Sequence, residues 1–430
     1  MMGRKWPKPV LLLNLALIAI ASFPLFRVHW NSYTILLLGL YGLWFSLSNE
    51  KRRVVFKERL SSNVKLFIIS TLFIFPVLLS LTYSQNIGAG IKNILHILPV
   101  VVFPLLFCFL LPKVRTPQLR WALYSFLAAC VVQVLAMHFQ FYGLGLYDNF
   151  QQATFYRLPF REAVFNFEYQ TLHPSYISLW YCFAICVALK IIYDCRSMAV
   201  RILCLLSVIL LLYTIVILSS RIGFLCLLGL SVYCLTLIRN RKVMMFLGLG
   251  FLLIFILSIT KISFISSRII TEFQQTELSP PVGKKHNSIN IRVGIYQCAF
   301  EIASSNFLLG VGFGDVQDEL DSCYTQFDTD VYQSDNYNSH SYFLHILLSG
   351  GVIALVFLLY MLFFFWRTAT RNGAYLYICF MLIIILGMLF ENTLSRSHGV
   401  FFFAFFNSLF LSYYRINSAN HAYSGHSTLS

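Results

Sequence analysis

Arg221, Arg292 and His340 each sit where an apolar stretch of the chain meets a polar one. Arginine presents a planar, permanently charged set of N–H donors that matches phosphate oxygens. Histidine titrates near neutrality and can take a proton from a hydroxyl. An outward arginine such as Arg221 calls for an anion beside it, and an imidazole at the edge of an apolar helix could meet both a lipid-borne group and a polar acceptor. Other candidates share this setting: His173 in LHPSYIS, Tyr296 four residues after Arg292, and Glu391, Arg396 and His398 in FENTLSRSHG. Spacing by four puts Arg292 and Tyr296 on one helical face. Taken singly, an arginine at a turn also serves as a snorkelling anchor and a histidine at a helix start as a structural cap, so the residues alone leave both readings open.

The elements that must position these residues follow from composition. The chain has 430 residues, 58% of them hydrophobic and 11% charged, too little polar surface for two or three soluble domains. The bilayer is the expected solvent. Twelve apolar runs approach the length needed to cross a hydrocarbon core about 30 Å thick: roughly 10–26, 31–48, 64–82, 91–111, 121–142, 175–194, 201–219, 222–238, 243–260, 341–365, 373–390 and 398–414. The first lacks a small-residue cleavage site followed by a soluble domain and reads as a membrane helix, not a signal peptide. The expected fold is therefore all-α and polytopic, resembling a bundle of about twelve membrane helices.

Charge orients this bundle. Numbering the loops alternately from an inside N-terminus places 21 of the 32 lysines and arginines on one side, with 3 of the 17 acids. By the positive-inside rule that side is cytoplasmic. The net charge of +15 is then mostly topogenic, and no basic patch interleaved with exposed aromatics suggests nucleic acid. Expected organisation is nine membrane helices over 1–260 with an outer loop at 143–173, a large outer loop at 261–340, three more helices over 341–415, and a cytoplasmic tail at 416–430. Both termini are expected inside.

The outer segments carry local signals. Residues 203–238 would form a helix about 54 Å long, too long for one crossing, and SSRIG is the polar, glycine-containing place to break it, with Arg221 at the tip. In the large loop, TEFQQTELSPPVGKKHNS reads as a mobile segment, and Ile291, Ile295, Ala299 and Ile302 predict an amphipathic helix. NFLLGVGFGDVQDELDSCY lacks the strand and GK[ST] ending of a phosphate loop, so it predicts a turn and a short helix whose Asp315, Asp318 and Glu319 suit the positive helix end. Of eleven cysteines, Cys298 and Cys323 fall in the large polar loop, which leaves room for one disulfide and excludes a disulfide scaffold. No Asp, His or Cys cluster has metal-ligand spacing. Ion-coupled transport would favour ionisable residues deep in the spans, where His96 and His138 are the nearest.

The order SSRIGFL, then NIRVGIYQCAFEIASSNFLLGVGFGD, then NSHSYFLHILLSGGVIALVFLLY resembles the O-antigen ligase and polymerase family of bacterial inner-membrane glycan transferases. LHPSYISL and FENTLSRSHGVFFF resemble segments of some members, so the likeness spans 170–410; SHS stands where many members carry an HN pair. The resemblance implies a GT-C-like enzyme with its site on the periplasmic face. It implies transfer of a glycan from undecaprenyl diphosphate to a sugar hydroxyl, commonly of the lipid A core in lipopolysaccharide biosynthesis, with inversion and without nucleotide, metal or other cofactor. In the family's pattern Arg221 and Arg292 hold the diphosphate and His340 is the base. An O-antigen polymerase or a protein O-glycosyltransferase would use the same motifs, and neither the acceptor nor the oligomeric state is legible in them.

Overall fold

Long runs of Leu, Ile, Phe and Val satisfy their backbone polar groups internally as helix, which the computed structural model shows throughout. It describes residues 8–143, 159–165, 172–237, 242, 278–283, 287–334 and 336–424. The expected span at 243–260, much of the mobile segment and most of the loop 143–173 lie outside the described residues. The described chain is all-helical. Its first half holds α1 (Lys8–Ala21), α2 (Val28–Leu47), α3 (Glu50–Ser62), α4 (Val64–Ser70), α5 (Ile74–Ser80), α6 (Ile87–Ile97), α7 (Pro99–Leu105), α8 (Thr116–His138) and α9 (Pro159–Phe165). The second half holds α10 (Pro174–Asp194), α11 (Met198–Leu218), α12 (Arg221–Thr236), α13 (Ser288–Ser305), α14 (Val316–Tyr324), α15 (Val331–Ser334), α16 (Tyr342–Arg371), α17 (Tyr375–Phe390) and α18 (Ser397–Ser424).

Five of these helical stretches are long and apolar enough to cross a membrane: Ile87–Leu110, Thr116–Phe141, Pro174–Asp194, Met198–Leu218 and Tyr342–Arg371. Pro9–Ala21, Arg221–Thr236 and Tyr375–Phe390 are apolar but shorter. The most apolar window of α10 is 83% buried and that of α11 33%, which makes α10 the central helix and α11 a peripheral one. On α11, Leu203, Leu206, Ile209 and Tyr213 are exposed at helical spacing, a contiguous apolar stripe of the kind that faces lipid. Around α10 the core is aromatic: Phe183 packs against Phe126 of α8, Phe380 of α17 and Phe402 and Phe406 of α18. Such tilted and edge-on ring contacts supply the van der Waals packing on which helix association in lipid depends.

Three sequence expectations meet their local structure here. α11 ends at Leu218, Ser219 turns left-handed at φ 51°, and Ser220 caps α12 by accepting from the Gly223 N–H at 3.2 Å; the break falls in SSRIG. The amphipathic helix is α13, with Ile291, Ile295, Ala299 and Ile302 buried. Asn287 caps it in a reciprocal box with Asn290. The turn and short helix after it are α14 and its approach, but Asp315 does not cap α14 with its side chain. Its carboxylate accepts instead from the Gln85 and Asn86 N–H groups at 2.8 and 2.6 Å, tying the loop to the entrance of α6. Cys298 and Cys323 form a disulfide between α13 and α14.

The glycines of GVGFGD and SGG meet one another. α16 breaks at Gly350 and Gly351, the latter at φ 65°. An unbroken helix would join the Val352 N–H to the Leu348 carbonyl. Here Val352 N–H bonds to the Phe307 carbonyl at 2.9 Å, and the Leu348 carbonyl accepts from Val311 N–H at 2.8 Å. Ser349 likewise takes the Gly312 N–H at 3.1 Å. The turn 307–312 thus supplies both halves of the bond the helix loses.

A Cβ on Gly351 would overlap the Leu308 carbonyl, whereas one on Gly373, also left-handed, meets nothing within 4 Å. Gly373→Ala should cost only the left-handed penalty of about 1 kcal/mol. Gly351→Ala should reach or exceed the ~3 kcal/mol upper end of ordinary point mutants. Thermal unfolding of the two variants in one detergent checks the difference.

Candidate active site

Four helix ends and the start of α13 converge on one cavity of about 690 Å³, lined among others by Arg161, His173, Arg221, Arg292, His340 and Glu391. Each position has a local cause. Pro174 at the first turn of α10 makes His173 its cap, and the His173 Nδ1 accepts from the Ser175 N–H at 3.2 Å. Arg221 opens α12 after the SSRIG break and donates from Nη1 to Ser288 Oγ at 2.8 Å, joining the hairpin tip to the first residue of α13. Arg292 follows one turn along α13. Glu391 closes α17 in extended conformation.

Glu391 is the centre of the polar contacts. Its Oε1 accepts from Ser175 Oγ at 3.0 Å and lies 3.4 Å from Arg292 Nη2. Its Oε2 is 3.8 Å from His340 Nδ1, an ion-pair separation too long for a hydrogen bond. Burial favours the neutral acid, but the neighbouring His340, Arg292 and His173 outweigh it and hold the Glu391 carboxyl below its ordinary value. Burial pulls His173 down to about 4, with Glu391 opposing and Arg161, His340 and Arg396 adding to the pull. The His173 side chain is nonetheless exposed where it lines the cavity, and solvent screening there moderates that shift.

His340 carries a further mark. Its φ is 45°, an uncommon conformation for a residue with a side chain, and its N–H donates to Asn338 Oδ1 at 2.9 Å. The left-handed turn sets the imidazole against Glu391 just before α16 begins.

Of the residues singled out in the sequence, His173, Arg221, Arg292, His340 and Glu391 line the cavity. Tyr296 does not line it; it is half-buried a turn along α13, near the charges of Arg292 and Glu391. Arg396 acts on His173, Tyr176 and His96 from beyond the lining. His398 packs edge-on against Trp180, ring centres 5.7 Å apart, and does not face the cavity. Two groups were missed. Ser175, Ser220 and Ser288 are too common a type to be noticed in sequence. Arg161, on α9, donates from Nη1 to the Leu218 carbonyl at 2.6 Å, a cation at a helix C-terminus. Arg161 falls in the loop 143–173 that the charge distribution predicts to be outside, where cations are fewer, and that was its available signal.

Three guanidiniums face one carboxylate across this lining, so these four groups together carry two positive charges. Such a surface suits a ligand with two negative charges beside a base. Among the described residues no group of three or more His, Cys, Asp or Glu could hold a metal ion.

Residues 206–359 match the family model Wzy_C, described as O-antigen ligase. The matched stretch holds Arg221, Arg292 and His340. Arg161, His173 and Glu391 lie outside the matched stretch. No curated protein matches the chain.

A carboxylate held below its ordinary pKa contributes stability above the unfolded value, near 4.3, and loses it as pH falls through the lower folded value. Glu391→Gln should therefore lower stability by about 1–3 kcal/mol at neutral pH, and the gap from the parent should shrink below pH ~4. Unfolding midpoints of both proteins from pH 7 to pH 3.5 check it.

Proposed function

We propose that this chain, whose residues 206–359 match the O-antigen ligase family model, is an O-antigen ligase moving a glycan from undecaprenyl diphosphate to a sugar hydroxyl of the lipid A core. The observation that carries this reading is the cavity itself. Arginines from α9, α12 and α13 line it together with an imidazole that has a carboxylate behind it. It acts as a multi-pass protein of the bacterial inner membrane with this cavity facing the periplasm and both termini in the cytoplasm. The charge asymmetry of the loops supports that orientation. So does the Cys298–Cys323 disulfide, since α13 carries both Cys298 and Arg292 and disulfides persist in oxidising compartments.

The acceptor oxygen attacks the anomeric carbon from the face opposite the diphosphate, giving inversion. Its proton passes to His340, and Glu391 beside Nδ1 stabilises the imidazolium that forms. The bond from the anomeric carbon to the diphosphate oxygen breaks, and its electron pair stays on the leaving diphosphate. Arg221 and Arg292 hold that growing charge, with Arg161 on the same wall. Fixed donors aimed at charge that develops in the transition state lower the barrier more than equal binding of donor and product would. A polymerase or a protein O-glycosyltransferase would run the same step on a different acceptor.

Arg221→Ala and Arg292→Ala should each lower glycan transfer by about 10²-fold or more. Asparagine tolerates a left-handed backbone, so His340→Asn should keep the fold while transfer falls by about 10²–10⁴-fold. Full transfer by His340→Asn would remove the base from this mechanism. Chelators should leave transfer unchanged; loss on chelation that a divalent ion restores would overturn the arginine account. In a strain lacking the protein, bare lipid A core with accumulated long lipid-linked polymer marks a ligase, and single repeat units transferred without polymer mark a polymerase.

A further inference from the structure

A second charged cavity lies at the other end of the bundle. α18 starts at Ser397 beside the outer cluster and runs unbroken past Arg415, a separation of about 27 Å along the helix, close to a hydrocarbon thickness. There Arg59, Lys113 and Arg415 line a cavity of about 190 Å³ with no acidic side chain among its lining residues. Ser70 and Ser408 line it too, both about 2% exposed, and neither hydroxyl has a hydrogen-bond partner. Buried hydroxyls without partners are costly, so a polar ligand between them answers a deficit in the protein.

The cations are held in place by the fold. Arg59 donates from Nη1 to the Leu111 carbonyl and Arg415 from Nη2 to the Ser62 carbonyl at 3.1 Å. The Arg59 guanidinium has five N–H donors, so its one bond to the chain leaves others for an anion. Leu66 and Phe107 give the cavity an apolar wall, and Val64 and Ile68 expose apolar surface on α4 beside it. The cavity holds a phosphate and a few adjoining atoms; acyl chains would run outside it along α4.

We infer that this cavity binds the phosphate of an anionic phospholipid headgroup from the leaflet opposite the candidate active site. Charge and hydroxyls select the phosphate, and the adjoining apolar face of α4 favours a lipid over the free ion. A basic pocket between membrane helices is a known physical solution for anionic headgroups.

The test uses the full-length chain in bilayer discs of phosphatidylcholine with a minor fraction of phosphatidylglycerol, followed by mass spectrometry of the lipid retained after extraction into detergent. Phosphatidylglycerol should be enriched at least tenfold over its share of the disc. Lys113→Gln, whose exposed side chain can be changed without disturbing packing, should reduce the enrichment several-fold, and Lys113→Gln with Arg415→Gln should abolish it. Ser408→Ala, which removes only a hydroxyl, should weaken it two- to fivefold and guards against misfolding of the charge variants. No enrichment, or enrichment unchanged in all three variants, overturns the assignment. Inorganic phosphate that displaces the lipid at millimolar concentration supports the phosphate contact; protection by inorganic phosphate with no preference for phosphatidylglycerol overturns the lipid as its source.

Discussion

A helix crossing lipid cannot leave a backbone N–H or carbonyl unpaired, because no water is there to take its place. α16 breaks this rule at Gly350–Gly351 and obeys it again through the turn 307–312, which accepts the Val352 N–H and donates to the Leu348 carbonyl. Much of the site depends on that exchange. The turn follows α13, which carries Arg292, and the broken helix begins just after His340. Pinning one to the other sets the separation of Arg292 and His340, which stand 48 residues apart in the chain. Tyr83, donating to the Leu309 carbonyl, and Asp315, accepting from Gln85 and Asn86, fasten the same turn to the α5–α6 junction.

The second organising force is charge. The fold gathers Arg161, Arg221 and Arg292 around a single cavity. Like charges so close would repel strongly without a counter-charge. Glu391 supplies one, taking Arg292 on one oxygen and His340 near the other. A carboxylate shared in this way orients the imidazole and leaves a net positive surface for an anion. At the other end, Arg59, Lys113 and Arg415 gather with no acid among their lining residues. The bundle therefore presents a cationic cavity at each end, one lined by histidines and a carboxylate and one by neither.

Local features were legible in the sequence because each rests on residues a few positions apart. The break at SSRIG followed from the length of an apolar run, the amphipathic helix from the spacing of Ile291, Ile295, Ala299 and Ile302, and the candidate trio from residue type at apolar boundaries. Apolar periodicity and hydrogen-bond self-sufficiency in lipid determine helices, and those act over a few residues. The number of crossings was less legible. Among the described residues five helices have the length and hydropathy to span, while α4 and α5 divide another apolar run into short pieces.

What only the tertiary structure decided was who meets whom. Nothing near Glu391 in the chain says that it will sit beside His340 and Arg292. Nothing near Asp315 says that it will cap a segment 230 residues away instead of its own helix. The pairing of Cys298 with Cys323 was left open by composition and settled by α13 packing on α14. Arg161 reached the cavity because α9 docks on the end of α11. Sequence carries the chemistry of each side chain and the helix it belongs to; helix-to-helix packing, which depends on shape across the whole bundle, selects the neighbours that turn separate cations and an imidazole into one site.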